Sequence, residues 1–355
     1  MAVKKQKKKG GARRSKAGAG KFRKAKWGLI AGLVVLGLFY LLQTRSDSFS
    51  SGEYLYIRSG SAYEQVEEAL LEQGFIHNAE RFRKRAGQSG YAQHVLPGKY
   101  RIRKGMRERE ILDMLQSGRQ EAVQFVVKKL RTRDELIRLV GTQLEADTLV
   151  LRQLLSDSIY LARYALNAHT AMCAVMPGTY TFFWNSDAET VFKKIARQYV
   201  AFWTKERKAK ASKMGLNPQE AIVLASIVEE ESNKSTDKPK IASVYLNRIR
   251  AGMKLQADPT AKFAYGDFMI RRIKGEHIAV NSPYNTYKVA GLPPGPICTP
   301  SRNSIEAVLN APKTNYIYFC AREDFSGYHN FAATWQQHNA NARKYHAALK
   351  KRGIR

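Results

Sequence analysis

The longest uncharged stretch near the start of the chain is Trp27 to Gln43, WGLIAGLVVLGLFYLLQ, 17 residues with aromatic rings near both ends. As a helix it would reach about 25 Å, the short end of what crosses a bilayer core. Residues 1–26 hold 9 Lys and 3 Arg with no acid, whereas Thr44-Arg45-Ser46-Asp47 on the far side carries much less charge. That asymmetry predicts a single-pass anchor in the cytoplasmic (inner) membrane, with the N-terminus cytoplasmic and about 310 residues exported. A cleaved signal peptide fits less well, because the basic region is long and no A-x-A-like site follows Gln43. A buried core helix would not need such lopsided flanks.

A polar linker at 44–53 leads into folded sequence. Tyr54–Ile57 reads as a strand, and Val66, Ala69, Leu70 and Leu71 predict a helix over 63–73 closed by Gly74. A second helix over 79–86 precedes the Leu96-Pro97-Gly98 turn into a strand. Ile111, Leu112 and Leu115 then share one face of a helix over 108–116, ended by Gly118. Strand–helix–helix–strand–helix over 54–118 predicts a small α+β module. Further on, 122–128 reads as a strand, Thr132 can cap a helix over 133–140, and 141–170 is helical in tendency. Pro177-Gly178 turns into an aromatic strand reaching Trp184, and one long amphipathic helix runs from Ala188 to about Lys208.

Asn217-Pro218 caps and starts the segment NPQEAIVLASIVEEES. Its body, Ala221 to Val228, is apolar on every face and predicts a buried central helix. The helix ends in Glu229, Glu230 and Glu231, an arrangement that opposes the macrodipole. A half-desolvated carboxylate there would hold its proton nearer neutral pH, as a general acid must. A solvated acidic helix end paired with Lys and Arg is the plainer reading, and periodicity does not choose among the three acids. Another helix at Ile241–Ile249 follows, then loops rich in Asn, Gln, Tyr, Pro and Gly at 252–260, 282–287 and 291–297. Such loops offer amide and aromatic contacts suited to sugars or peptides, or serve as ordinary turns.

Composition adds one strong feature, a formal charge of +30. The 12 cations of residues 1–26 leave +18 for the rest, so the surplus is spread along the chain. Nucleic acid, anionic lipid and a carboxylate- and phosphate-rich cell wall all satisfy that physics. Export disfavours nucleic acid, and no RRM, zinc-finger or OB signature is present. Cys173, Cys298 and Cys320 lack CxxC spacing, which argues against a metal cage or a disulfide framework while leaving one bridge open. The seven His show no HExxH spacing, so neither a metal nor a cofactor is expected.

The segments LASIVEEES, ASVYLNRI, GMKLQADPT, YNTY and GLPPGPI, in that order and spacing, resemble the YceG-like (MltG) family of endolytic murein transglycosylases. The resemblance implies a LysM-like subdomain at 54–118 and a catalytic domain at 119–345, and residues 346–355 are left as a basic tail. The fold class it supports is α+β, with a mixed α/β catalytic domain whose buried helix ends in the catalytic acid. The family's glutamate is the second acid of an Ile-Glu-X-Glu-Thr/Ser pattern, here Val228-Glu229-Glu230-Glu231-Ser232, which assigns the role to Glu231. Glu229, Gln256, Asp258, Asn285 and Tyr287 become candidates for holding the sugar or orienting Glu231. Two departures stand out: Pro177-Gly178-Thr179-Tyr180 lacks the family's usual acid, and Glu230 stands where Lys is frequent. The implied reaction cleaves the β-1,4 bond between N-acetylmuramic acid and N-acetylglucosamine, without water, to a 1,6-anhydro end. The implied partners are peptidoglycan glycan strands, the membrane, peptidoglycan synthases and division or elongation proteins. A wall-binding scaffold with an inert Glu cluster, or a true hydrolase, are the competing expectations.

Overall fold

Alternation of buried and exposed residues in β1 (Tyr54–Ile57) and β2 (Gly98–Arg101) puts Leu55, Ile57 and Tyr100 on one inner face, with Tyr56 outside. The strands pair antiparallel, with Leu55 opposite Tyr100. Around them pack α1 (Tyr63–Glu72), α2 (Ala79–Ser89) and α3 (Glu108–Gln116), which bury Leu70, Phe82, Ile111 and Leu115. The strand–helix–helix–strand–helix order is the one its hydrophobic pattern predicts. Inside this unit Glu108 is almost fully buried yet neutralised, with Arg81 at 3.1 Å and Arg85 at 3.8 Å. The computed structural model describes residues 53–353, so the basic tail, the expected anchor at 27–43 and most of the linker lie outside the described residues. Among the described residues no helix is long and apolar enough to cross a membrane.

A second compact unit begins at Glu121. Its β3 (Val123–Val127) pairs antiparallel with β4 (Gly178–Phe182), Phe125 opposite Tyr180. Between these strands run α4 (Arg133–Gln143), α5 (Thr148–Leu154) and α6 (Ser158–Ala162). Thr132 caps α4 by accepting from the Glu135 N–H at 3.2 Å. The single helix expected over 188–208 is instead two, α7 (Ala188–Phe202) and α8 (Lys205–Lys213). Trp203 leaves helical geometry, and the Thr204 hydroxyl accepts from the Arg207 N–H, starting a new helix. A threonine that can cap gives the backbone an alternative to continuing, and it wins here because Phe202 and Trp203 are both buried.

The centre of the unit is α9 (Pro218–Glu231), with Ala221 to Val228 buried without exception. Asn217 and Glu220 form a reciprocal capping box at its start, with bonds of 2.9 and 2.8 Å. The one hydroxyl in its buried body is satisfied: Ser226 Oγ donates to the Val223 carbonyl and accepts from the Ile297 N–H. Against α9 lie α10 (Lys238–Arg250), α11 (Asp258–Tyr265) and, beyond the short α12 (Gly275–Ala279), α13 (Arg302–Leu309). The chain then forms a hairpin, β5 (Tyr318–Ala321) with β6 (His329–Ala332), and closes with α14 (Trp335–Lys351), which runs through most of the expected basic tail. All three cysteines are free thiols.

Candidate active site

The three carboxylates that end α9 point to three different environments. Glu229 turns inward: its Oε2 accepts from Lys238 Nζ at 3.0 Å, from Ser301 Oγ at 2.7 Å, and from Ser304 Oγ. Burial pushes its pKa up, but the two serines and Lys238 outweigh it and hold the carboxyl below the ordinary range. Glu230 pairs with Lys129 at 2.7 Å and Arg131 at 3.2 Å, and these cations likewise overcome its desolvation. Among the described residues Glu231 has neither a cation nor a serine on it. Its side chain is held instead by Tyr245 on α10, whose Oη donates to Glu231 Oε1 at 2.5 Å.

That difference decides the protonation state. Desolvation raises the pKa of Glu231 from 4.5 to about 7. The negative charges of Asp258 and Glu230 push the same way, while the Tyr245 bond and the charge of Arg248 pull it back without cancelling the shift. The carboxyl is therefore divided between acid and conjugate base near neutral pH, the condition under which one group can give and then take a proton. Glu231 forms part of the wall of a cleft of about 1180 Å³, shared with Glu230, Asp258, Pro259 and Lys262. This exceeds the roughly 300–1,000 Å³ of an ordinary small-molecule pocket and suits a segment of polymer.

Two segments are stitched together around Asp258, which lines that cleft. The Ala257 N–H donates to Thr286 Oγ1 at 3.0 Å, and the Thr260 and Thr286 hydroxyls are 2.7 Å apart. This joins Asp258, at the start of α11, to Tyr287, whose Oη donates to Asp258 Oδ1 at 2.5 Å. Gln256 sits in left-handed geometry with φ of 51°, its N–H donating to the Thr286 carbonyl and its Oε1 accepting from Arg248. Asn285 is fully buried and holds the loop itself, donating to the carbonyls of Ile278 and Val280 at 2.9 and 2.7 Å. So the structure brings Glu231 and Asp258 to one cleft, with Tyr287 bonded to Asp258, gives Glu229 and Asn285 internal partners, and sets Gln256 against Arg248. The GLPP loop lies elsewhere: Gly291 to Pro294 line a separate cavity with Asn217 and Gln219, at the other end of a helix about 20 Å long. Its Gly295 packs so closely on the His169 carbonyl that a Cβ would fall 2.1 Å from that oxygen. Residues 177–180, where the acid departs from the expected motif, are not among those that line the cleft.

Two residues beyond the predicted set belong to this site. Tyr245 is buried and makes the one bond to Glu231, with the edge of the Phe319 ring from β5 packed on it at 5.8 Å. Arg248, three residues on and on the same face of α10, donates to the carbonyls of Leu255 and Ile317, both at 2.7 Å, and has no carboxylate partner among the described residues. A Tyr and an Arg three apart on an otherwise buried helix are the one signal the sequence offers for them. Tyr245→Phe removes the bond that lowers the Glu231 pKa. The alkaline limb of the kcat profile is then expected to move upward and kcat to fall about tenfold, checked by pH–rate measurements on both proteins.

With this geometry in hand, comparison with known proteins gives a consistent result. The pattern of the YceG-like family matches residues 55–344. The chain belongs to the YceG-like family. A protein of Bacillus subtilis named endolytic murein transglycosylase is 29% identical over 338 residues, covering 89% of this chain and 91% of its own. A protein of the same name from Streptococcus pneumoniae is 25% identical, and the match covers 81% of this chain but only 57% of the longer pneumococcal one. A yceG-like protein of Listeria monocytogenes, known from a crystal structure, superposes with a TM-score of 0.54 at 26% identity, covering 81% of this chain and 97% of that one. The matched region of this YceG-like chain reaches into both compact units and includes the cleft residues Glu230, Glu231, Asp258, Pro259 and Lys262.

Proposed function

We propose that this chain is a lytic transglycosylase that cuts the β-1,4 bond between N-acetylmuramic acid and N-acetylglucosamine within peptidoglycan strands. The observation that carries the reading is Glu231: a carboxyl in an open cleft, held near neutrality by burial and contacted by a buried tyrosine. Protonated Glu231 donates to the glycosidic oxygen, and the C1–O bond breaks with oxocarbenium character at C1. The Glu231 carboxylate then takes the proton of the C6 hydroxyl of the same muramoyl residue as O6 bonds to C1. No water is consumed, and Glu231 ends in the acid form it began with. Asp258, with Tyr287 on it, adds negative charge that keeps Glu231 protonated and faces the developing positive charge at C1.

In this reading the segment at 27–43 anchors the enzyme in the cytoplasmic membrane, so that the cleft works outside the cytoplasm on nascent strands and ends their elongation. The unit at 54–118 acts as a LysM-like glycan holder, and synthases or division proteins share the substrate. A second reading, hydrolysis, is favoured by one observation: besides Glu231 and the ion-paired Glu230, the cleft holds the carboxylate of Asp258, which has no ion pair among the described residues. Mass spectrometry of strands digested with the detergent-solubilised chain separates the two. Anhydro-ended fragments are expected; reducing ends would mean a hydrolase, and intact strands that still bind would mean a scaffold.

A further inference from the structure

The cleft that Glu231 lines is rich in cations, and they come from three separate elements. Lys262 lies on α11, Arg271 and Arg272 on the segment before α12, and Lys350 near the end of α14. None of the four forms an ion pair among the described residues, whereas Lys129 and Arg131 nearby are consumed by Glu230. Arg271, Arg272 and Lys350 are exposed, and Ile270, Ile273 and Leu349 line the same cleft. A net charge of +30 guarantees unpaired cations somewhere on the surface. It does not require three elements to deliver them into one concavity beside a neutralised acid. Charge gathered in a cleft focuses the field there, and the guanidinium fork matches a carboxylate in two-point geometry.

The sugar backbone of a glycan strand offers these cations nothing of opposite sign. The peptide stem on each muramoyl residue does, because it ends in carboxylates and hangs from the sugar whose C1 is attacked. We propose that Arg271, Arg272 and Lys350, with Lys262, form a subsite for the stem-peptide carboxylates next to the bond being cut. The enzyme thereby selects peptide-bearing strands over bare glycan. This rests on the reading of the cleft as a glycan-cutting site. A stem accompanies every disaccharide, so a subsite beside the acid meets one wherever along the strand the cut falls. A lipid pyrophosphate, the other anion a nascent strand carries, sits at one end only.

The test compares peptide-bearing strands with the same strands stripped of stems by an amidase and capped as the methylamide at the lactyl carboxylate that the cut exposes, measuring both binding and kcat/KM for anhydro-end formation. The full chain is used alongside Arg271→Gln/Arg272→Gln and, on a different element, Lys350→Gln, with thermal melts to verify folding. The parent is expected to prefer peptide-bearing strands about tenfold, the order of one charged hydrogen bond. That ratio should fall toward one in the double variant, part-way in Lys350→Gln, and also as ionic strength rises. Equal use of both strands by the parent, or a preference that the variants leave intact, would overturn the subsite. So would a preference that follows the lipid pyrophosphate when strands with and without that end are compared. If no anhydro ends form but the parent binds stemmed strands preferentially and the variants do not, the subsite stands and the catalytic reading falls.

Discussion

Glu231→Gln is expected to lower the rate of anhydro-end formation by about 10³-fold, within the range that general acid catalysis contributes. The same substitution is expected to make the protein more stable at about pH 8. Glutamine keeps the shape and can still accept from Tyr245, but it has no proton to give. The stability effect follows from linkage. A native pKa of about 7 against an unfolded 4.5 means that the native state binds the proton more tightly. The parent therefore has its full stability below about pH 4.5 and loses part of it as pH rises through about 7. Glutamine does not titrate, so the variant escapes that loss. The gain at about pH 8 should be about 1–2 kcal/mol, discounted because Glu231 is partly open to the cleft, and near zero at about pH 4. Thermal melts at the two pH values check the stability half, and product analysis checks the catalytic half. An inactive variant with a lower Tm at pH 8 would mean that Glu231 holds the fold and not the chemistry.

Local signals were legible in this sequence, and long-range ones were not. Asn217-Pro218 and the run from Ala221 to Val228, apolar but for Ser226, located the central helix to within a residue, because capping and burial are written in consecutive positions. The first unit's element order was readable for the same reason. The break at Trp203 was not, since a hydrophobic period that continues across a capping threonine gives no warning that the helix restarts. The β5–β6 hairpin also escaped notice: its strands have four residues each, mostly half-buried, and show no clean alternation. At the site, family resemblance supplied Glu231 and periodicity could not, because the residues that distinguish the three acids lie far along the chain. Lys129 and Arg131 come from about 100 residues upstream, and Ser301 and Ser304 from about 70 downstream. The loop pairing of Asp258 with Tyr287 likewise depends on the threonines that join two segments 26 residues apart.

The contrast between neighbouring acids gives the second large effect, on stability. Glu229→Gln is expected to destabilise the fold by about 3 kcal/mol at neutral pH, the lower end of the cost of breaking a buried ion pair from one side. Lys238 is 5% exposed and its ammonium would be left without its carboxylate. The loss reaches further than one pair, because Glu229 also receives the hydroxyls of Ser301 and Ser304 at the start of α13, where a negative charge meets the positive end of the helix. Its carboxylate thus ties the end of α9 to the start of both α10 and α13, and so fixes the backbone two residues before Glu231. The pH dependence has the opposite sign to that of Glu231. The native pKa of Glu229 is lowered, so its contribution is complete above about pH 4.5 and is lost as pH falls through the depressed native value. The stability gap between parent and variant should therefore be widest at neutral pH and should narrow on acidification, read from denaturant midpoints at several pH values. Activity per folded molecule should fall far less than in Glu231→Gln. A variant as stable as the parent but equally inactive would transfer the chemistry to Glu229 and leave Glu231 without a role.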